Sequence, residues 1–206
     1  MKKILVLDCG VGNLASISAS LKKAGADVRI SSIVPEEGFD GLVIPGVGSY
    51  SAAFKKVDEQ RGRIRSIVEN GRPVLGVCLG LQLMFNGSEE GKQDEEGLGF
   101  FRGFVKKIPV KRLPHIGWNS LEIVRKSVIL NGLENGAYMY FVHSYAPLDY
   151  DEDDAVAYAS YGGIRFPVAF EKGKVFGVQF HPEKSWQPGL RILRNFLSLC
   201  EGGKSV

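Results

Sequence analysis

The stretch PVLGVCLGLQ, residues 73–82, decides the fold. Its apolar first part, Pro73–Cys78, predicts a buried strand, and the residues that follow, up to Leu83, predict a helix. A strand that turns into a helix through Gly-x-Cys-x-Gly is the thiol form of the nucleophile elbow, which raises the nucleophile above the edge of a sheet. Gly76 and Gly80 leave room for that turn. The stretch therefore predicts an α/β fold with Cys78 as a nucleophile, whereas a lone cysteine is more often a small core residue.

Strands and helices alternate on either side of this stretch in the first half of the chain. Asn13 is a predicted helix N-cap and Gly25 a predicted helix end. Further strands are predicted over Lys3–Asp8, Val28–Ser32 and Gly41–Pro45, and one long helix over Ser51–Asn70. Such alternation is typical of a parallel sheet with helices packed on its faces.

The second half of the chain is rich in β-forming residues and predicts antiparallel strands. The predicted strands are Gly99–Pro109, Trp118–Val124, Tyr138–Tyr145, Ala155–Tyr161 and Val168–Phe180, with a final helix over Pro188–Cys200. A hairpin turn is expected at Glu171–Lys174, and the acidic run Asp149–Asp154 is expected to be a solvated loop because it lacks the spacing of a calcium site. We therefore expect one domain over residues 1–206, with a flavodoxin-like layered fold: a mainly parallel central sheet and additional antiparallel strands.

Composition excludes several classes of protein. The 206 residues carry a formal charge of only +3, which does not indicate nucleic-acid binding. The three cysteines are widely spaced and form no C-x-x-C, so a disulfide framework is not expected and a cytoplasmic location fits best. The apolar run at the N-terminus ends at Asp8, too early for a signal peptide, and no stretch reaches the ~20 apolar residues of a membrane span. No metal or cofactor is expected.

A thiol nucleophile needs a base, and the candidates are His115, His143 and His181. His181 lies at the end of an apolar strand with Glu183 two residues later, so both side chains are expected on one side of the strand. The carboxylate would then fix the imidazole tautomer, which predicts a Cys78–His181–Glu183 triad. Taken alone, His-x-Glu is as often an exposed chance pair.

The segment PGVGS, residues 45–49, follows the strand that precedes it as a second glycine-rich turn. It is either an ordinary turn between a strand and a helix or the source of an oxyanion donor. In the second case the Val47 N–H would act together with the Leu79 N–H at the elbow. Glycines on both sides also make a peptide flip inexpensive, so this segment is the expected element for regulating the site.

These motifs resemble the class I (triad) glutamine amidotransferases, which remove the side-chain amide of glutamine to give glutamate and ammonia. The resemblance spans residues 3–200 and is greatest to the branch of glutaminase subunits that serve imidazole glycerol phosphate synthesis in histidine biosynthesis. Its motifs are residues 10–14, 45–48, 88–91, 113–119 (LPHIGWN), 140–145 (YFVHSY) and 181–185 (HPEKS). Cys9 and the pair Ser49-Tyr50 depart from the usual pattern, and neither touches the triad.

The resemblance implies a set of residues that bind the substrate. The residues expected to hold glutamine are Gly46, Gly48, Gln82, Glu90, His143, Ser144 and Tyr145. Glu90 suits this role because a carboxylate can pair with the α-ammonium group. The side chain of His143, flanked by aromatic residues, is equally well explained as a satisfied core histidine.

The resemblance also implies a partner, a (β/α)₈-barrel cyclase that receives ammonia through an internal passage and makes imidazole glycerol phosphate and an aminoimidazole carboxamide ribotide. The residues expected at this interface are His115, Trp118, Asn119, Tyr140 and Lys184. Exposed aromatic side chains commonly anchor such contacts; plain core packing is the less favoured alternative for Trp118.

Three other functions stay open at this point. The chain could be a triad amidotransferase of vitamin B6, purine or chorismate chemistry, or a thiol peptidase or γ-glutamyl hydrolase built on the same elbow. It could also be a non-catalytic interaction subunit, although the complete Cys78, His181 and Glu183 set argues against that.

Overall fold

The computed structural model describes residues 1–10 and 12–200. Val11, part of the predicted motif at residues 10–14, lies outside them. The helices are α1 (Leu14–Ala24), α2 (Tyr50–Glu59), α3 (Arg61–Glu69), α4 (Leu79–Gln82) and α5 (Trp186–Leu199), with a 3₁₀ turn at Pro182–Lys184. The strands are β1 (Lys2–Leu7), β2 (Ala26–Ser31), β3 (Gly41–Ile44), β4 (Val74–Val77), β5 (Gly87–Ser88), β6 (Gly103–Lys107), β7 (His115–Ser120), β8 (Glu122–Ile123), β9 (Tyr138–His143), β10 (Tyr145–Tyr150), β11 (Ala155–Tyr161), β12 (Ile164–Lys172) and β13 (Val175–Val178).

The central sheet has the order β2-β1-β3-β4-β13-β12-β11-β8. From β2 to β13 each neighbouring pair is parallel, and from β13 to β8 each pair is antiparallel. Two smaller sheets, β10-β6-β5 and β7-β9, lie beside it. The predicted mixed fold, with a parallel first half and antiparallel additions, is confirmed.

Alternating side chains of the central strands form two apolar layers. In β1, Ile4 and Val6 belong to one cluster of buried residues and Leu5 and Leu7 to the other. The first layer is covered by α1 and α5 and the second by α2 and α3. Helices on both faces of a parallel sheet leave the carboxyl ends of the strands free to carry a site.

The predicted boundaries of α1 are confirmed by its caps. The Asn13 side chain accepts a hydrogen bond from the Ser16 N–H, and Gly25 adopts the left-handed conformation at φ 108°. The hairpin turn between β12 and β13 is also where the sequence predicts it, with Gly173 at φ 59°.

The single long helix predicted over Ser51–Asn70 is wrong, because the chain breaks at Gln60 into α2 and α3. The Gln60 side chain accepts a hydrogen bond from the Val34 N–H at 3.0 Å, which fixes this residue against a neighbouring loop. The next residue, Arg61, reaches the carbonyl of Gly97. These distant contacts hold the break in a stretch whose local pattern is helical throughout.

Several predicted strands of the second half have different bounds. The prediction over Tyr138–Tyr145 is divided at Ser144, because β9 pairs with β7 whereas β10 turns away to pair with β6. The strand predicted over Trp118–Val124 starts earlier and is divided at Leu121 into β7 and β8. The strand predicted over Val168–Phe180 is the hairpin of β12 and β13. The strand predicted over Gly99–Pro109 is shortened to β6. Its first residues form no strand, since Leu98, Gly99 and Phe101 donate their N–H groups to carbonyls of residues 83–85. Tertiary partners decide these boundaries.

The acidic run predicted as a loop over Asp149–Asp154 is partly strand. Its first residues complete β10, and the turn occupies residues 151–154. None of the helices within residues 1–10 and 12–200 is long and apolar enough to cross a membrane.

Candidate active site

Cys78 lies between β4 and α4 in a conformation that side chains rarely adopt, with φ 54° and ψ −108°. Its N–H donates to the Val178 carbonyl on the neighbouring strand β13 at 2.7 Å, which holds the turn in place. A non-glycine residue with positive φ costs of order 1–3 kcal/mol, and such residues cluster at functional sites. The elbow predicted from the sequence is therefore present, with the sulfur at the carboxyl end of the parallel sheet.

The glycines around Cys78 are required by close packing. A Cβ atom on Gly80 would lie 1.7 Å from the carbonyl oxygen of Ile44, and one on Gly76 would lie 2.8 Å from the Gly80 backbone. Neither distance is compatible with a side chain. The helix α4 can therefore approach strands β3 and β4 closely enough to fix the elbow.

His181 and Glu183 follow β13 and meet directly. The His181 Nδ1 and Glu183 Oε1 atoms are 2.8 Å apart, and the side chains are 2% and 5% exposed. The two-residue spacing predicts both side chains on one side of a strand, but the pair is brought together by the 3₁₀ turn that begins at Pro182. The Ser185 hydroxyl donates to the His181 carbonyl at 2.6 Å and stabilises this turn.

The surroundings of the His181 imidazole favour its charged form. Burial lowers its pKa, but the Cys78 sulfur in its thiolate form and the Glu183 carboxylate outweigh burial and raise the pKa to about 10. Since Nδ1 faces the carboxylate, Nε2 is the nitrogen on the other side of the ring, and it has no hydrogen-bond partner within the described residues. The structure thus brings together the sulfur, the imidazole and the carboxylate that the sequence singled out.

The expected oxyanion donors are not both available. The Leu79 N–H donates to the Gly46 carbonyl at 3.3 Å, so the segment at residues 45–48 contacts the amide that the sequence predicts as an oxyanion donor. Gly48 has a φ of 122°, a conformation that favours glycine. In this conformation the elbow amide is bonded to protein rather than free for substrate.

A cavity of about 250 Å³ opens beside Cys78. Its lining includes Val47, Gly48, Cys78, Leu79, Gln82, Glu90, Pro114, Val142, His143, Ser144 and Tyr145. Nine of these eleven were predicted as site residues; Pro114 and Val142 were not, and nothing in their types distinguishes them. The predicted residue Gly46 is not part of this lining. Pockets for drug-sized ligands measure about 300–1,000 Å³, so this cavity suits a smaller molecule.

Two predicted glutamine-binding side chains already have protein partners. The Gln82 amide group donates to the Tyr145 carbonyl at 3.0 Å and to Gln179 Oε1 at 3.1 Å. Burial raises the pKa of Glu90, while the Tyr50 N–H, donating to its carboxylate, acts in the opposite direction. Glu90 therefore lies between the cavity and the first residue of α2. Helix α2 itself follows directly after the glycine-rich segment at residues 45–49.

Gln179 is a site residue that the sequence argument missed. It is fully buried and its Nε2 donates to the Cys78 sulfur at 3.6 Å. A polar side chain in the otherwise apolar run before His181 is the signal that could have identified it, because a buried amide needs hydrogen-bond partners.

A group of partly exposed side chains, all aromatic or apolar except one lysine, lies on β7, β9, the 3₁₀ turn and the start of α5. We call it the docking face; it consists of Ile116, Trp118, Tyr138, Tyr140, Lys184 and Trp186. The Trp118 ring lies 5.2 Å from Trp186 and 5.9 Å from Tyr140, and the Lys184 ammonium is 5.5 Å from the Tyr140 ring centre. Trp186, 81% exposed and with φ 48°, was not predicted.

Of the residues expected at an interface, His115 does not reach this surface. Its side chain is 2% exposed and stacks between Tyr161 and Phe141, with ring centres 4.2 and 4.7 Å away. Asn119 is half-buried and bonded to His115. The alternation of β7 explains the difference, because it turns Ile116 and Trp118 outward and His115 inward.

The described part of the chain contains no group of three or more His, Cys, Asp or Glu side chains suited to hold a metal ion. Cys9 and Cys200 are buried and unpaired, and burial raises the pKa of each thiol to about 12. These thiols are therefore kept protonated, in contrast to a nucleophile.

The chain is similar to known proteins of one family. Residues 5–200 match the family model "Glutamine amidotransferase class-I". The imidazole glycerol phosphate synthase subunit HisH of Methanosarcina barkeri is 41% identical over 97% of this chain and 100% of its own, and that of Thermococcus kodakarensis is 43% identical over 95% and 100%.

Solved structures share the fold. PurLQS from Thermotoga maritima superposes with a TM-score of 0.78 at 17% identity, covering 96% of this chain and 99% of that one. The family resemblance inferred from the motifs is confirmed: the chain belongs to the class-I glutamine amidotransferase family.

Proposed function

We propose that this chain is the glutaminase subunit of an imidazole glycerol phosphate synthase. It would hydrolyse glutamine to glutamate and ammonia, and the ammonia would pass to a (β/α)₈-barrel cyclase in histidine biosynthesis. The observation that carries the proposal is the strained Cys78 elbow beside the buried His181–Glu183 pair. The relatives named above, similar over nearly their whole length, support the choice of pathway.

The chemistry begins with attack of the Cys78 thiolate on the side-chain amide carbon of glutamine. His181, charged next to the thiolate and oriented by Glu183, donates the proton that the departing ammonia needs. The resulting thioester is then hydrolysed by a water molecule that His181 activates as a base. Positioned acid–base catalysis of this kind contributes roughly 10²–10⁴-fold to the rate.

The occupied Leu79 amide supports regulation of this site. While the Gly46 carbonyl accepts from the Leu79 N–H, a negatively charged oxygen cannot bind there. Rotation of the peptide between Gly46 and Val47 would remove the carbonyl and present the Val47 N–H instead. An oxyanion donor is worth about 10²–10³ in rate, so the isolated chain is expected to be a slow glutaminase until a partner favours the rotated form.

The docking face supports a protein partner. Three of its aromatic side chains, Trp118, Tyr138 and Trp186, are solvent-exposed. Residues of this type dominate the binding energy of interfaces. A partner is also required by the chemistry, because ammonia released into water becomes ammonium, which is no longer a nucleophile. Lys184 and Trp186 follow Glu183 within three residues, so a partner on this surface would lie close to the catalytic pair.

The size of the cavity supports free glutamine rather than a peptide as substrate. A thiol peptidase needs a cleft that accommodates a chain, whereas the space beside Cys78 measures about 250 Å³. We further propose that residues 1–206 act as one glutamine amidotransferase domain without a cofactor. The buried, unpaired thiols of Cys9 and Cys200 fit the reducing cytoplasm.

The test is the Cys78→Ala variant assembled with the cyclase. Glutamine-dependent synthesis should be abolished because no thioester can form, while synthesis from added ammonium salt at high pH should continue. Binding to the cyclase is the control for correct folding. Release of glutamate from glutamine by Cys78→Ala would overturn the proposal.

A further inference from the structure

A line of hydrogen bonds runs from the half-buried Asn119 on β7, through two buried imidazoles, toward the cavity. Asn119 Nδ2 lies 2.9 Å from the Ser160 carbonyl and 3.2 Å from His115 Nε2. His115 Nδ1 is 3.0 Å from His143 Nε2, and His143 Nδ1 is 2.9 Å from the Tyr145 carbonyl. Both imidazoles are buried, at 2% and 6% exposure. The proposed mechanism uses neither of them.

The same line continues from Tyr145 to the nucleophile. The Tyr145 carbonyl also accepts from the Gln82 amide, whose other N–H bonds to Gln179 Oε1. The Gln179 amide group then donates to the Cys78 sulfur. We call the whole series the hydrogen-bond chain; its side chains are Asn119, His115, His143, Gln82 and Gln179.

One arrangement of protons satisfies every link. A carbonyl can only accept, so His143 carries its proton on Nδ1 and its Nε2 must accept from His115 Nδ1. His115 Nε2 is then an acceptor, which matches the second N–H of Asn119. A proton added to His143 Nε2 would face the N–H of His115 Nδ1, and one added to His115 Nε2 would face the N–H of Asn119. Consistently, burial lowers the pKa of His143 to about 3 and that of His115 to about 4.

The position of the hydrogen-bond chain gives it an effect on the sulfur. Residues 142–145 form one wall of the cavity, and the Val142 carbonyl accepts from the Cys78 thiol at 3.8 Å. The Tyr145 carbonyl holds the Gln82 amide, which in turn fixes the orientation of Gln179. If His143 lost its partner, its ring and the Tyr145 carbonyl would be free to move, and Gln179 would no longer be held with its N–H toward the sulfur.

We propose that Asn119, His115 and His143 are positioning residues for the nucleophile: their neutral, one-directional hydrogen bonds hold the cavity wall and the Gln179 donor in place against Cys78. The inference rests on the proposed function. It gives the inward-facing residues of β7 a role in the reaction of the thiol, although they touch neither the substrate nor the sulfur.

The test compares two substitutions of His115, one that removes its hydrogen bonds and one that removes its aromatic stacking. Phe keeps the aromatic stack with Tyr161 and Phe141 but removes both nitrogens, whereas Asn keeps an N–H near the Nδ1 position but loses the stack. The readout is labelling of Cys78 in the isolated full chain by acivicin, an electrophilic glutamine analogue. The rate at saturating reagent and the half-saturating concentration are measured per folded chain, alongside thermal unfolding.

We expect His115→Phe to lower the saturating labelling rate about tenfold, the size of one lost hydrogen bond at a charged group. His115→Asn should stay within about threefold of the unsubstituted chain, yet unfold at a lower temperature than His115→Phe. A merely structural role for the ring predicts the same rank order in both measurements. That result, or unchanged labelling of His115→Phe, would overturn the proposal.

A second variant covers the case in which substitutions of His115 do not fold. Asn119→Asp keeps the shape of a half-buried side chain but places an acceptor opposite His115 Nε2, which reverses the required proton arrangement. It should also label about tenfold more slowly, while the exposed Asn131→Asp, with the same change of charge, should label normally. Equal labelling by both Asp variants would overturn the proposal.

Failure of the proposed function gives a different result from failure of the positioning role. If acivicin does not label the unsubstituted chain at Cys78, the glutaminase assignment fails, and the positioning role fails with it. If the unsubstituted chain is labelled at Cys78 and the variants label equally fast, only the positioning role is lost.

Discussion

Gly80 offers the most direct test of the elbow's geometry. A Cβ at this position would lie 1.7 Å from the Ile44 carbonyl oxygen, whereas ordinary contacts begin near 3.4 Å. In Gly80→Ala, α4 must therefore retreat by about 1.7 Å or β3 must distort. Displacing a reacting group by about 1 Å can cost roughly 10²-fold in rate, and overpacking of this kind costs about 1–3 kcal/mol or more of stability.

The assay for Gly80→Ala is the rate of Cys78 labelling by acivicin, with thermal unfolding measured on the same samples. Gly62→Ala is the matched control, because Gly62 is also a helical glycine but a Cβ added there would meet no atom within 4 Å. The control should be more stable by about 0.5–1 kcal/mol and label normally. Normal labelling and stability in Gly80→Ala would refute the reasoning, because close packing of α4 would then not fix the nucleophile.

Charge and exposure lead to three further predictions. His115 and His143 have folded pKa values near 4 and 3 but titrate near 6.5 when unfolded, so the unfolded chain binds these protons first. Their contribution to stability is complete above pH 6.5 and is lost as the pH falls toward 4 and then 3. Denaturant unfolding should show that the free energy of unfolding falls by roughly 3 kcal/mol between pH 7 and 5. In His115→Phe this fall should be smaller. Glu183→Gln should lower the pKa of His181 by about one to three units, since one of the two groups that raise it is removed; an unchanged imidazole titration by NMR would contradict this. Trp186→Ala should weaken cyclase binding about tenfold or more without changing the unfolding temperature, because the side chain is 81% exposed; calorimetric titration with the cyclase measures the affinity, and unchanged binding would remove Trp186 from the interface.

The parts of the fold that follow from local sequence were predictable. The buried strands β1, β3 and β4 are continuous apolar runs, and Asn13 and Gly25 carry the cap chemistry that bounds α1. The elbow was predictable because Gly-x-Cys-x-Gly between an apolar strand and a helix indicates a tight strand-to-helix turn around Cys78. In each case the sequence signal lies within a few residues, although contacts with Ile44 and Val178 hold the elbow in the folded chain.

The remainder depends on contacts between distant segments. No local pattern indicates that Gln60 divides a helix, since its partner Val34 lies 26 residues away. The division of the strand at Ser144 depends on which neighbours β9 and β10 find. The strand predicted from Trp118 onward did not include His115, and periodicity did not determine which side of β7 would face solvent.

The candidate site divides in the same way. Cys78, His181 and Glu183 were predictable from motif and spacing, although a 3₁₀ turn rather than strand alternation joins the last two. Gln179 and Trp186 were missed because their significance arises from what they contact in three dimensions. The occupied Leu79 amide likewise depends on a hydrogen bond to Gly46, far away in sequence.

The central claim is that Cys78 alone among the cysteines acts as a glutamine-directed nucleophile. Incubation of the full chain with acivicin, followed by peptide mass spectrometry, tests it directly. The account predicts one adduct per chain, on Cys78, with free glutamine slowing its formation. Modification of Cys9 or Cys200 instead, or labelling of Cys78 that glutamine does not slow, would contradict the account.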